Sequence, residues 1–168
     1  MRVSRAARRG DGRIYVGFAL LLALHFYARP RVWDGRAAPD FLALALILFS
    51  IRTRPGVAAL VGFLTGLLYD TLTPAKFGAN AIAHTVLGYS AAWGRAVFFP
   101  DNLLVNAGLF AGGIWLRNAI VLILSGTSLS QIGPVLLVYG TLQALTTALA
   151  GVVLLLLLRD WFEIRLEV

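Results

Sequence analysis

Six apolar runs, separated by arginines, prolines and short polar turns, narrow the folds open to this sequence more than any other feature. They cover 14–28, 37–51, 57–72, 79–99, 103–124 and 135–158. Hydrocarbon offers a free backbone no hydrogen-bond partners, so such segments must satisfy themselves as helices or within a closed barrel. The alternation of a barrel strand is absent, and all six read as helices. The last two are long enough to cross a bilayer about 30 Å thick, while the first three fall short of the about 20 residues a span needs. Flanking Arg13, Arg29, Arg36 and Arg52 would have to extend them by reaching for the interface. Breaks at Arg29-Pro30, Arg52 to Pro55, Thr73-Pro74, Pro100-Asp101 and the "SGTSLSQIGP" loop divide the runs.

Composition agrees. The 168 residues are 59% hydrophobic and 14% charged, with a mean hydropathy of +0.80, more apolar than one soluble core can hide. The expected fold is an all-α integral membrane protein of six transmembrane helices. It divides into a basic N-terminus (1–13), the helical domain (14–158) and a short tail (159–168). The N-terminal "MRVSRAARRGDGR" with its following apolar run also resembles a signal peptide, but no small-x-small cleavage site follows, and it reads as an uncleaved first span. An even number of spans puts both termini on one side. Ten cationic side chains then fall on the side of the termini against four (Arg29, Arg31, Arg36, Lys76) opposite, so both ends are expected in the cytoplasm. Trp33, Trp93 and Trp161 fall near segment ends, where interfacial indoles belong.

Composition also excludes functions. Without cysteine there are no disulfides, thiolate metal sites or cysteine nucleophiles. The net charge of +7 sits in short clusters between apolar runs rather than along one face, so nucleic acid is not the expected partner. There is no GxSxG, P-loop or HExxH, and Asp40, Asp101, Asp160, Glu163 and Glu167 all fall at expected membrane surfaces. Nothing demands an enzyme or a cofactor.

A few polar residues fall inside the apolar runs. At 1.5 Å of rise per residue, Asp70 lies about 8 Å from the middle of its run, His84 about 7 Å, His25 about 6 Å, and Arg117 and Gln143 about 5 Å, all towards the outer side. Intramembrane ionisable groups face the bundle interior and pair with one another. Asp70 and Arg117 are therefore the expected ion pair, with His84 and Asn80 at the same level, forming either a staple between helices or an outward-facing pocket. A metal site built from His25, His84 and Asp70 lacks HxxxH or ExxH spacing to support it. Close helix contacts are expected at Gly62 with Gly66, Gly108 with Gly112, Ala19 with Ala23, and Ala144 with Ala148. Pro39-Asp40 and Pro100-Asp101 open the second and fifth runs, as suits helix N-termini.

The stretch "APDFLALALILFSIRTRPGVAALVGFLTGLLYDTLTPAKFGANAIAHTVLGYSAAWGR", residues 38–95, resembles the rod shape-determining protein MreD family. A Pro-Asp entry leads into a leucine-rich run, then a basic turn, a run ending in Gly-Leu-Leu-x-Asp, and a glycine loop before a helix containing Gly-Tyr. Pro39, Asp40, Gly62, Gly66, Asp70, Gly78, Gly88 and Tyr89 carry that pattern. The resemblance implies a multi-pass protein of the bacterial cytoplasmic membrane that is not an enzyme. It implies the transmembrane helix of MreC as a partner, with MreB, RodA and a penicillin-binding transpeptidase in the same elongation machinery, and a role in rod shape during peptidoglycan synthesis. The family is similar in outline to the substrate-binding subunits of energy-coupling-factor vitamin transporters. That likeness supplies an alternative, in which Ala19 and Ala23 meet a coupling protein and the polar layer holds a vitamin.

Overall fold

The computed structural model describes residues 5–28, 38–98 and 102–162. Arg29, Arg31, Trp33, Arg36, Pro100, Asp101, Glu163, Arg165 and Glu167 lie outside the described residues, as does the tail beyond 162. The described residues form six helical rods and no strand. The rods are α1 (Arg5–Ala23, extended by a π turn, Leu24–Ala28), α2 (Phe41–Ser50), α3 (Pro55–Thr71), α4 (Ala79–Phe98), α5 (Leu103–Leu124), and a last rod in which α6 (Leu129–Val135) passes through a π turn (Leu136–Gly140) into α7 (Thr141–Phe162). Two rods, Leu103–Leu124 and Leu129–Leu157, are long and apolar enough to cross a membrane.

At the centre stands α2. Its ten residues, FLALALILFS, are apolar on every side, and a helix of that kind can only be buried. It packs against α1, α3, α4, α5 and α7, and Leu42, Leu44, Leu46 and Ile47 are wholly buried. Leu87 and Ala91 of α4, Phe110 and Ile114 of α5, and Ala144, Ala148 and Leu155 of α7 close the core around it. At 1.5 Å per residue α2 spans only about 15 Å, and its N-terminal end at Ala38 to Asp40 is buried in the bundle, while its C-terminal end leads into exposed Arg52.

The last rod departs from the expected boundary at Pro134. Instead of ending a loop, Pro134 lies inside α6, and the helix runs from Leu129 through it. Proline has no N–H for the i−4 carbonyl, and the wider π turn that follows absorbs the break. The loop before α6 closes α5 with Gly126 at φ +67°, while Asn102 caps the start of α5 by accepting from Leu104 N–H at 2.8 Å.

The most extensive helix pair is α3 with α4, joined by a short turn containing a single 3₁₀ turn (Pro74–Lys76). Gly78 ends that turn at φ +93°, where only glycine is unstrained. A Cβ at Gly78 would meet nothing within 4 Å, so substitution there costs backbone strain alone. Gly78→Val is expected to lower stability by about 1–3 kcal/mol, and Gly78→Asn by less, read as thermal midpoints of the purified protein.

Candidate functional site

Most of the polar side chains buried among the described residues collect at the N-terminal end of α2, where helix ends and one arginine need partners. Asp40 is the N-cap of α2: its Oδ1 accepts from the Ala43 N–H at 3.1 Å, as short polar residues do at this position. Its own N–H donates to Thr147 Oγ1 of α7 at 2.9 Å, and Thr147 donates in turn to the Gln143 carbonyl at 2.7 Å. Its Oδ2 lies 3.4 Å from Arg117 Nη1, with Asp40 fully enclosed and Arg117 nearly so.

Among the described residues Asp40 is the carboxylate that pairs with Arg117, and this corrects the expected pairing of Asp70 with Arg117. It also leaves Asp40 enclosed by the bundle rather than exposed. The reason is the brevity of α2, whose N-terminus ends inside the bundle, level with Arg117.

Asp70 is spent on a different task. Its Oδ2 accepts from the N–H groups of Gly78 and Ala81, both at 2.9 Å, and its Oδ1 from the Asn80 N–H at 3.2 Å and Asn80 Nδ2 at 2.9 Å. Four donors fill the about four acceptor positions of a carboxylate. Asp70, near the end of α3, therefore caps the N-terminus of α4 from across the turn, satisfying N–H groups that a helix cannot satisfy itself. Asn80 links the two acidic centres, because its Oδ1 accepts from Arg117 Nη2 at 2.9 Å while its Nδ2 donates to Asp70.

His25 enters from the π turn after α1. Its Nδ1 accepts from the Leu42 backbone N–H at 3.1 Å, making it a second cap on α2. A nitrogen accepting that bond carries a lone pair, so its 3.3 Å approach to Asp40 Oδ1 is a close contact rather than an ionic hydrogen bond. His84 Nδ1 donates to the Asn80 carbonyl at 2.9 Å. The Tyr69 ring lies among these groups: 5.6 Å from His25, 6.4 Å from His84 in stacked orientation, and 5.6 Å from the Arg117 guanidinium. Gln143 donates from Nε2 to the Ala38 carbonyl at 3.3 Å and accepts from Asn118 Nδ2 at 2.9 Å, while Asn118 Oδ1 accepts from Arg117 Nη1 at 3.0 Å. The cluster thus brings together His25, Asp70, Asn80, His84, Arg117 and Gln143. His25, His84 and Asp70 do not form a metal site: the Asp70 carboxylate is fully engaged, and no group of three metal-ligating side chains occurs among the described residues.

The small residues divide by what they touch. A Cβ at Gly62 or Gly66 would run into the backbone of α4 at His84 or Asn80, and one at Gly88 into the Ala58 carbonyl. These three let α3 and α4 approach backbone to backbone. Ala144 and Ala148 are buried against the core, whereas Ala19 and Ala23 are exposed. Gly108 and Gly112 are exposed too, with nothing within 4 Å of an added Cβ. They line a groove of about 180 Å³ between α4 and α5, walled by Leu87, Leu109 and Leu116. Pro39 is buried beside Asp40, and Tyr89 is half exposed.

Asp40 as the partner of Arg117, and Thr147, Asn118 and Tyr69 as members of the cluster, were not evident from residue types alone. A signal existed for Thr147, four residues after Gln143 on the face that carries Ala144 and Ala148.

No curated protein and no solved structure gives a significant match to the chain. The Pro39-Asp40 entry that caps a central helix, the Gly62, Gly66 and Gly88 contacts, and Asp70 closing on Gly78 all lie within residues 12–165, which match the family model of the rod shape-determining protein MreD. With that match spanning nearly the whole sequence, the chain belongs to the MreD family.

Proposed function

We propose that this protein is a non-catalytic membrane scaffold of the bacterial cell-elongation machinery, holding the transmembrane helix of MreC and so supporting peptidoglycan synthesis along the rod. Membership of a rod shape-determining family supports the role, and the surface supports the setting. Leu60, Leu64 and Leu68 on α3, and Leu145, Leu149 and Leu156 on α7, face outward, an apolar exterior suited to lipid and costly in water. Six rods with cytoplasmic termini remain the reading that best fits the distribution of arginines.

The observation that carries the proposal is the groove at Gly108 and Gly112. Gly62, Gly66 and Gly88 are consumed by contact between α3 and α4, whereas Gly108 and Gly112 are open along one side of α5 and line a groove there. Small residues at that spacing let a partner backbone come close, which is how helices associate where the hydrophobic effect between them is absent. The vitamin-transporter reading needs an open polar pocket instead, and His25, Asp40, Asp70, Asn80 and His84 are buried inside the bundle.

Co-purification from mild detergent tests the scaffold. Gly108→Leu with Gly112→Leu is expected to reduce recovered MreC at least tenfold while changing the thermal midpoint little, since a Cβ at either position has nothing within 4 Å. Undiminished MreC on the double variant would remove the groove from the proposal. Failure of the parent protein to retain MreC at all would remove the scaffold.

A further inference from the structure

On the opposite flank of α5 lies a second recess, of about 170 Å³, between α5 and the kinked last rod. Val121, Val135 and Tyr139 wall it, and Asn118, Gly140 and Gln143 form its base. Gly140 keeps it open, because a Cβ there would project between Leu136 Cδ1, at 2.9 Å, and Asn118 Nδ2, at 3.9 Å. Cavities of about 150 Å³ accept a molecule the size of benzene, so one side chain fits.

Its base is polar and unfinished. Gln143 is buried to about nine-tenths and Asn118 partly so. Each carboxamide nitrogen has two hydrogens, yet Asn118 Nδ2 donates once, to Gln143, and Gln143 Nε2 once, to the Ala38 carbonyl. Gln143 Oε1 keeps a second lone pair. The recess therefore offers hydrogen-bond donors and an acceptor on a base of two neutral carboxamides, with the Arg117 guanidinium behind Asn118, bonded to its Oδ1 and paired with Asp40.

Depth decides what can meet that base. Asn118 and Gln143 lie within about 7 Å of the midpoints of their rods, Leu103–Leu124 and Leu129–Leu157. In a hydrocarbon layer about 30 Å thick, the ester and headgroup atoms of a lipid begin about 15 Å from the middle. A polar atom flanked by apolar surface at that depth comes from another helix.

We infer that the recess formed by Asn118, Val121, Tyr139 and Gln143 receives a neutral hydrogen-bonding side chain, such as asparagine, from the middle of a second membrane-spanning partner helix. This rests on the membrane-spanning reading above, but on a different face from the Gly108 and Gly112 groove, so one straight helix cannot fill both.

The test measures energy transfer in phosphatidylcholine vesicles between the labelled protein and a synthetic leucine-rich transmembrane peptide carrying one central asparagine, with the all-leucine peptide as reference. The asparagine peptide is expected to associate about threefold more tightly, the size of an average interhelical hydrogen bond in a bilayer. Val121→Trp replaces a wall residue and fills the recess, leaving Asn118 and Gln143 in place, and is expected to abolish that preference, whereas Gly112→Leu should leave it intact. Equal association of the two peptides, as lipid filling the recess would produce, overturns the inference. So does a preference that survives Val121→Trp, or a self-association of labelled copies that Val121→Trp abolishes. The Gly112→Leu arm and MreC recovery report on the scaffold separately.

Discussion

Asp70→Ala is expected to abolish recovery of folded protein, and removing Arg117 as well is not expected to restore it. Asp70 accepts four hydrogen bonds, three of them from backbone N–H groups at the start of α4. Each buried donor left without a partner costs about 1–3 kcal/mol, so the sum is comparable with the whole stability of an ordinary domain. Arg117 is irrelevant to that loss, since its charge is balanced by Asp40. Asp40→Asn should behave in the opposite way. It preserves an oxygen for the Ala43 N–H but leaves the Arg117 guanidinium buried without a counter-charge, at a cost of about 3–5 kcal/mol. Arg117→Met in the Asp40→Asn background should recover part of that cost, and the double-mutant cycle, followed by thermal unfolding in detergent, should give a clear coupling energy. A larger coupling of Arg117 to Asp70 than to Asp40 would contradict the arrangement.

That several polar residues share one level of the bundle was legible in the sequence, because helical rise converts residue number into position along a rod. His25, Asp70, His84, Arg117 and Gln143 do meet in one cluster. Which carboxylate faces which guanidinium was not legible, because that depends on how each rod is rotated about its axis. The rotation is set around α2, and "FLALALILFS" is apolar on all sides, so it carries no phase from which its neighbours' faces can be deduced. The same helix concealed the role of Asp40. Pro39-Asp40 reads as a helix start, as the structure shows, but residue types alone do not reveal that the other rods enclose that start. The passage of the last rod through Pro134 was hidden for a related reason: a proline marks a break in hydrogen bonding, and nothing in "SGTSLSQIGP" indicates that a π turn will repair it.

Gly66→Ala should be nearly as damaging as the loss of Asp70, although it adds a single methyl group. The new Cβ would lie 2.6 Å from Ala81 Cα and 2.7 Å from the Asn80 carbonyl carbon, and neither is the end of a flexible side chain that can swing aside. Relief requires α4 to move away from α3 at the residue whose side chain joins Asp70 to Arg117. The cost of overpacking, about 1–3 kcal/mol, is therefore compounded by stretched bonds in the polar cluster. Gly112→Ala, in an equally glycine-rich stretch, meets nothing and should leave the thermal midpoint where it was. If both variants melt together, the backbone contact between α3 and α4 does not hold Asn80 in place. If Gly66→Ala alone melts early, the α3–α4 contact is what keeps the buried cluster assembled, and those glycines are as much a part of the site as the charges are.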